Sequence, residues 1–196
     1  MIVLASASPR RKDILSDLGV DFTVICANAD ENSTETSPQK LTEELAARKG
    51  LAVYQKMCQT LGKEAADSAI IISADTVVCC ENKILGKPHD FDEAVGMIKA
   101  ISGRSHTVVS GVCITIGGTT KTASDTTIVK LDTISEEKII EYVNSGESMD
   151  KAGAYAIQGK FSVWINGIEG CYFNVVGLPI NTLNKLFFDC TGKYLI

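Results

Sequence analysis

An aspartate lies inside a run of residues that otherwise favour a buried strand. The stretch IIISADTVV, residues 70–78, surrounds Asp75 with isoleucines and valines. A run of this kind is typical of a strand covered on both faces. An ionised carboxylate there costs several kcal/mol unless it is paired, hydrogen-bonded or bound to a metal ion. Asp75 is therefore a candidate metal ligand or general base toward water. A strand-end aspartate bonded to a nearby turn is the alternative.

Basic residues crowd the start of the first predicted helix. The segment LASASPRRK, residues 4–12, places a serine and a proline where a helix commonly begins. Arg10, Arg11 and Lys12 then fill the first turn, where acidic residues are usually preferred. Helix N–H groups, the Ser6 and Ser8 hydroxyls and two guanidinium groups are suited to bind phosphates. A basic surface patch in contact with water is the alternative.

Three further candidates come from weaker patterns. Lys87 in ILGKP lies on a tight turn, and Glu31 in DENS follows a predicted strand. Gln158, in the glycine-rich DKAGAYAIQG, carries an amide able to read the edge of a base or a hydroxyl group. The respective alternatives are a solvated lysine, an ordinary acidic loop and a plain connection. Oxygen ligands with scattered cations suit a nucleotide phosphate and Mg²⁺.

The composition limits the class of protein. Of 196 residues, 45% are hydrophobic and 22% are charged, which predicts a packed core rather than disorder. The net charge of -5 argues against a protein that coats nucleic acid or lies on a membrane surface. The N-terminal MIVLAS predicts a strand rather than a signal peptide, and no apolar run reaches transmembrane length. We expect a cytoplasmic protein without a nucleic-acid or membrane partner.

Cysteine usage indicates a reducing compartment. The seven cysteines are odd in number and form no C-x-x-C pair, so we expect buried free thiols. A structural zinc site is not expected, because only His89 and His106 could assist and the spacings are wrong. No serine or cysteine has an evident histidine partner, which argues against a covalent mechanism.

Helices and strands alternate along the chain, but hairpins interrupt the alternation. A wholly parallel sheet is therefore not expected, and a mixed sheet covered by helices, with a cleft between two lobes, fits better. The apolar segment FSVWING, residues 161–167, is predicted to be a strand. No repeat, linker or clean domain boundary is evident, so residues 1–196 are expected to form one domain.

Six motifs occur in an order that resembles the Maf family of nucleoside triphosphate pyrophosphatases. They are LASASPRRKDIL, SADTVV, ILGKP, SGRSHTV, DKAGAYAIQG and VVGLP, and they extend over essentially the whole chain. The resemblance implies an elongated mixed α/β fold, similar to inosine triphosphatase, with an active cleft between two lobes. It also implies hydrolysis between the α- and β-phosphates of a nucleoside triphosphate, giving a monophosphate and pyrophosphate. The implied cofactor is a divalent cation, Mg²⁺ or Mn²⁺.

The resemblance also implies roles for single residues. Asp75 matches the family's proposed catalytic base and, with the acidic loop residue Glu31, would hold the metal. Five positions match the phosphate site: Ser6, Arg10, Arg11, Lys49 and Lys87. Lys49 rests on the resemblance alone, because on its own it has the look of a solvated helix lysine.

The positions that divide the family by substrate resemble the branch acting on dTTP and UTP. They are the second arginine of SPRR, the threonine after the aspartate and the glutamine of AIQG, namely Arg11, Thr76 and Gln158. Modified pyrimidine triphosphates are further candidate substrates. Gly50 departs from the family, which usually has alanine there, and glycine is weaker in a helix by about 1 kcal/mol.

Two other functions stay open. A nucleotide-binding regulator of septum formation and cell division, without essential catalysis, would keep the basic residues but have no need of Asp75. A purine-directed pyrophosphatase of similar fold is the second. The sequence does not give the oligomeric state, and a homodimer is one candidate.

Overall fold

The computed structural model describes residues 1–81 and 83–196. Within these residues, one seven-stranded sheet is accompanied by seven α-helices and two short 3₁₀ helices. The strands are β1 (Ile2–Leu4), β2 (Phe22–Val24), β3 (Ile70–Cys80), β4 (Lys83–Leu85), β5 (Ser105–Ile116), β6 (Thr119–Leu131) and β7 (Ile165–Glu169). The helices are α1 (Pro9–Asp17), α2 (Pro38–Thr60), α3 (Lys63–Ser68), α4 (Phe91–Ile101), α5 (Glu136–Asn144), α6 (Tyr172–Val176) and α7 (Ile180–Thr191). The 3₁₀ helices are Ala152–Ala154 and Lys160–Trp164.

The sheet is mixed. Strand β1 lies between β2 and β3 and is parallel to both, with Ile2 opposite Phe22 on one side and Ile70 on the other. Strand β4 is antiparallel to β3, and β7 is antiparallel to β6. The full order is β2-β1-β3-β5-β6-β7, with β4 paired to β3. The predicted α/β class, a mixed sheet flanked by helices, is therefore confirmed.

The chain divides into two compact units, each described here by itself. The first comprises Met1–Asp75, Ser110–Asp125 and Gly177–Ile196. An apolar core in this unit joins β1, α2, α3 and the start of β3 through Val3, Ala5, Val53, Met57, Ala66, Ala69 and Ile71. Burial of these side chains is the main force that holds α2 against the parallel strands.

Helix α2 lies very close to two strands of the same unit. A methyl group added to Gly50 would lie 2.9 Å from Ser73 Oγ on β3 and closer still to Thr115 Oγ1 on β5. Gly50 is therefore the residue that allows the close approach, and the departure from alanine has a structural reason. Lys49 precedes Gly50 on α2, so the close approach of the helix also brings Lys49 near β3.

The second unit comprises Thr76–Val109 and Thr126–Val176. Its core includes Phe161, which is fully buried, with ring centroids 5.0 Å from Tyr142, 4.8 Å from Tyr155 and 5.4 Å from Trp164. The predicted strand over FSVWING is wrong in its first half, because a 3₁₀ helix extends to Trp164 and only the second half is strand. The 3₁₀ conformation places the Phe161 ring among the aromatic rings of the core.

The seven cysteines are free thiols. Cys80 and Cys113 are buried, whereas Cys26 is exposed and the others are partly exposed, so the expectation of buried thiols is wrong for most of them. In the part of the chain that the structure describes, no helix combines the length and apolar character needed to cross a membrane.

Candidate active site

Asp75 lies in the middle of β3 and has a lysine as its partner. The strand continues to Cys80, so Asp75 does not mark a strand end. Its carboxylate is 13% exposed, and Oδ1 accepts a 2.6 Å hydrogen bond from Lys49 Nζ. This pairing offsets part of the cost of an ionised carboxylate in an apolar strand.

The Lys49 ammonium joins two carboxylates. Besides Asp75 it contacts Glu31 Oε1 at 2.8 Å, and its own side chain is only 21% exposed. Lys49 comes from α2, Glu31 from the segment that precedes this helix, and Asp75 from β3. The structure therefore brings three of the predicted residues into one cluster within the first unit.

Arg11 is bound to the backbone around this cluster. Its Nη1 donates to the carbonyl oxygen of Ala74 at 2.8 Å and to Ser6 Oγ at 3.3 Å, while Nε donates to the carbonyl oxygen of Gly177 at 2.8 Å. Burial lowers the pKa of Arg11 from its ordinary value, and the charge of Asp75 acts in the opposite direction. The guanidinium stays protonated, because its pKa begins far above neutrality.

Arg10 differs from its neighbour. It is half-buried, and its side chain has no hydrogen bond or ion pair with another residue of 1–81 and 83–196. Its charge still acts on Arg11, where it lowers the pKa of that guanidinium. Two like charges side by side with part of their surface open favour an anion between or beside them. Arg10 is the better placed of the two to meet a phosphate.

The other predicted site residues belong to the second unit. Thr76 follows Asp75 on β3 and is partly exposed, while Lys87 and Gln158 are exposed. The backbone before Lys87 follows strand β4 without an assigned turn, and it is held by a 2.9 Å hydrogen bond from the N–H of Gly153 to the carbonyl oxygen of Gly86. The roles of Thr76, Lys87 and Gln158 stay predictions.

The carboxylates of Asp75 and Glu31 fit a magnesium or manganese ion. Among the described residues, no group of three or more His, Cys, Asp or Glu side chains is arranged to hold a metal. Mg²⁺, however, commonly uses only one or two carboxylates and takes its remaining ligands from substrate phosphates and water. Asp75 and Glu31 already share one cation, the Lys49 ammonium. For both carboxylates to bind a divalent cation, the Lys49 ammonium has to move away from at least one of them.

Lys49 was predicted through the family resemblance alone, although the helical pattern of the sequence also indicates its position. The buried residues of α2 include Leu45, Ala46, Gly50 and Val53. Lys49 lies four residues after the first and four before the last, so the helical period places it on the buried face. A lysine on that face needs an anionic partner, and this signal alone could have identified it.

A partly buried carboxylate with lysine and arginine beside it is typical of an enzyme site that binds an anion and uses a base. The chain belongs to the Maf-like protein family, whose family model matches residues 1–190.

Curated relatives named dTTP/UTP pyrophosphatase are similar over nearly their whole length. The protein of Thermoanaerobacter sp. strain X514 is 46% identical over 93% of this chain and 92% of its own. That of Thermococcus kodakarensis is 45% identical over 95% of each chain. That of Ruminiclostridium cellulolyticum is 40% identical over 99% of this chain and 98% of its own. Among solved structures, the Staphylococcus aureus Ham1 protein matches 66% of this chain and 71% of its own at 15% identity, with a TM-score of 0.42 that is too low for inference.

Proposed function

We propose that this protein is a nucleoside triphosphate pyrophosphatase that hydrolyses dTTP and UTP to the monophosphate and pyrophosphate. Membership of the Maf-like family and the names of the relatives support the reaction and the substrates. The observation that carries the proposal is Asp75, a carboxylate in the middle of a buried strand with Lys49 bound to it at 2.6 Å. A protein that only bound a nucleotide would have no need of a general base, and without a cation this carboxylate repels phosphate.

In this proposal Asp75 is the general base. Oδ1 accepts the hydrogen bond from Lys49, so proton transfer from water is assigned to Oδ2. The water oxygen forms a bond to one of the two phosphorus atoms joined by the α–β bridging oxygen, and the bond from that phosphorus to the bridging oxygen breaks. The bridging oxygen leaves with the other fragment, which gives the monophosphate and pyrophosphate.

The basic residues balance the charge of the triphosphate. Arg10, with its partly open guanidinium, and the exposed Lys87 are assigned to phosphate oxygens. Ser6 has a hydroxyl that accepts from Arg11, which leaves its own proton to donate. Arg11 is assigned a double role, as an anchor of the backbone beside Asp75 and as a source of positive charge.

A divalent cation would be held by Asp75 and Glu31, with Mg²⁺ or Mn²⁺ as candidates. When bound, it neutralises phosphate charge and lowers the pKa of water. Lys49 lies between the same two carboxylates. It is assigned to move away from them when the cation binds, and to contact a phosphate oxygen when the substrate binds.

Recognition of the pyrimidine nucleobase is assigned to Gln158, Thr76 and Arg11. The Gln158 amide has both a donor and an acceptor, which matches the adjacent carbonyl and N–H of uracil and thymine. Modified pyrimidines that keep this edge would also be accepted. We also propose that the protein acts in the cytoplasm, where free nucleotides are used. The homodimer stays a prediction, which light scattering can test.

The test is release of pyrophosphate from a panel of nucleotides. The purified protein is incubated with Mg²⁺ and dTTP, UTP, CTP, ATP or GTP, and pyrophosphate is measured. We expect turnover of dTTP and UTP, and loss of it on chelation of the metal. Binding of dTTP without release of pyrophosphate would support the regulatory alternative, and faster turnover of ATP or GTP would support a purine-directed enzyme.

A further inference from the structure

Arg48, the residue before Lys49 on α2, holds the backbone on both sides of Glu31. Its Nη1 donates to the carbonyl oxygen of Asp30 at 3.1 Å and to that of Asn32 at 2.6 Å. The first of these oxygens belongs to the peptide group that joins Asp30 to Glu31. Meanwhile Lys49 contacts the Glu31 carboxylate. Consecutive residues of one helix therefore hold the backbone around Glu31 and its side chain.

The Arg48 guanidinium is itself fixed by a second tether. Its Nη2 is paired with Glu44, one turn earlier on α2. The other carboxylate oxygen of Glu44 accepts a 2.8 Å hydrogen bond from the Ser33 hydroxyl. The segment that carries Glu31 is thus attached to the helix at two points, through Arg48 and through Glu44.

This attachment matters because the segment has no regular secondary structure, and the hydrogen bonds of Asp30 with Asn32 and of Ser33 with Glu35 lie within the segment itself. Residues 25–37 form no helix or strand, and the Glu31 side chain is 59% exposed. A glutamate on such a segment loses backbone and side-chain entropy whenever it is held in one place. Tethers that order the backbone in advance reduce that loss at the moment of binding.

We infer that Arg48 is the positioning residue for Glu31: it keeps this carboxylate next to Asp75, where the pair binds a divalent cation. The inference rests on the proposed function, which assigns Glu31 to the metal. Arg48 contacts neither the metal nor the substrate in this role. It acts through the carbonyl oxygens of Asp30 and Asn32 and through its ion pair with the Asp30 carboxylate at 3.9 Å.

Charge and position predict opposite effects when Arg48 is replaced. Loss of a positive charge near the site makes the local potential more negative, and by itself this would tighten the binding of a cation. Loss of the tether weakens binding, because Glu31 then has to be ordered by the metal. Weaker binding by a variant that lacks the charge is therefore evidence for positioning.

The experiment is a titration of the nucleotide-free protein with Mn²⁺, followed by electron paramagnetic resonance. Arg48→Met is expected to raise the Kd for Mn²⁺ by about tenfold, the lower end of effects seen when partners of metal ligands are lost. Arg48→Lys keeps the charge but not the fork of donors, and it is expected to weaken binding as well.

Lys56→Met is the matched control. Lys56 lies on the same helix and donates at 2.8 Å to the carbonyl oxygen of Cys26, in the same connecting region but away from Glu31. This variant loses one charge and one hydrogen bond to the backbone of the segment, whereas Arg48→Met loses one charge and two such hydrogen bonds. Its Kd for Mn²⁺ is expected to stay at the wild-type value or to fall slightly.

A double variant separates positioning from a general effect on the fold. If Arg48 acts through Glu31, Arg48→Met adds little to the Kd in a Glu31→Gln background. An equal loss in both backgrounds, or wild-type binding by Arg48→Met while Glu31→Gln binds weakly, overturns the inference and leaves the proposed function intact. Wild-type binding by Glu31→Gln, or no binding by the unaltered protein, contradicts the metal role of Glu31 and the inference with it.

Discussion

Lys49 Nζ lies 2.6 Å from Asp75 Oδ1, although the two residues are 26 positions apart in the chain. This pair explains how a carboxylate is tolerated in the middle of an apolar strand, since the ammonium offsets the loss of hydration. It also means that the proposed general base and a proposed phosphate-binding cation are placed by one contact. Any change that moves α2 along β3 is expected to alter both.

Asp75→Asn is expected to abolish turnover without unfolding the protein. The amide has nearly the same shape but cannot accept a proton from water, and general bases contribute roughly 10²–10⁴-fold to rate. The measurement is kcat for release of pyrophosphate from dTTP, together with the thermal unfolding midpoint. Asp67→Asn is the control, because Asp67 accepts a 2.6 Å hydrogen bond from Tyr54 elsewhere in the same unit. An Asp75→Asn enzyme with more than about a tenth of wild-type kcat would falsify the base role.

Arg10→Ala is expected to raise KM for dTTP by about tenfold, since a hydrogen bond to a charged group contributes about 1.5–3 kcal/mol. Stability should change little, because Arg10 has no bond to the described residues that the substitution would break. Lys12→Ala, an exposed cation of the same helical turn, is the control. The salt dependence of KM should be less steep for Arg10→Ala alone. Equal KM values for both variants would show that Arg10 is a solvated surface residue and does not bind phosphate.

Gln158→Leu is expected to reduce base selectivity more than rate. The wild-type protein should prefer dTTP and UTP over ATP and GTP by at least about tenfold in kcat/KM, because an unpaired buried polar group costs about 1–3 kcal/mol. The measurement is the ratio of kcat/KM values for dTTP and ATP in both proteins. A variant that loses all activity yet keeps its ratio between bases would show that Gln158 positions phosphate or water.

Gly50→Ala is expected to destabilise the protein, although alanine favours a helix by about 1 kcal/mol. The added methyl group meets Thr115 Oγ1 and lies 2.9 Å from Ser73 Oγ, and overpacking of this kind costs about 1–3 kcal/mol. Gly96→Ala is the matched control, because Gly96 is within α4 and a methyl group there meets nothing within 4 Å. In urea unfolding, Gly50→Ala should lower the free energy of unfolding and Gly96→Ala should raise it. A stabilised Gly50→Ala protein would contradict the close approach of α2.

His106 is expected to make stability depend on pH. Burial lowers its pKa from 6.5 to about 4, and its Nε2 lies 2.7 Å from the Tyr155 hydroxyl. The unfolded chain therefore takes up a proton at higher pH than the folded chain, so stability is complete above pH 6.5 and falls progressively toward pH 4. Between pH 7.5 and 5.0 the loss should be about 2 kcal/mol, since one pKa unit corresponds to about 1.4 kcal/mol. Urea unfolding of the wild type and of His106→Gln measures it, and an equal pH dependence in both would assign the effect elsewhere.

Features set by neighbouring residues were predictable from the sequence. Pro9 and the residues before it place the start of α1, and the β-branched run around Asp75 predicts β3. Gly117 and Gly118, with φ of 56° and 78°, form the turn between β5 and β6, in keeping with a glycine pair as a hairpin signal. Asp75 was conspicuous for the same local reason, because a charge stands out against an apolar strand. Hydrophobic periodicity and turn preferences depend on residues close together in the chain, so the sequence alone predicts the elements that they specify.

Only the tertiary structure decided which partners these residues have. The pairing of Lys49 with Asp75 depends on how closely α2 approaches β3, which Gly50 permits against its own weak helix propensity. The first half of FSVWING is a 3₁₀ helix because Phe161 is buried among aromatic rings, against a local preference for strand. Contacts between residues far apart in the chain are set by the packing of whole elements, and the free energy of that packing exceeds the local preferences that a sequence displays.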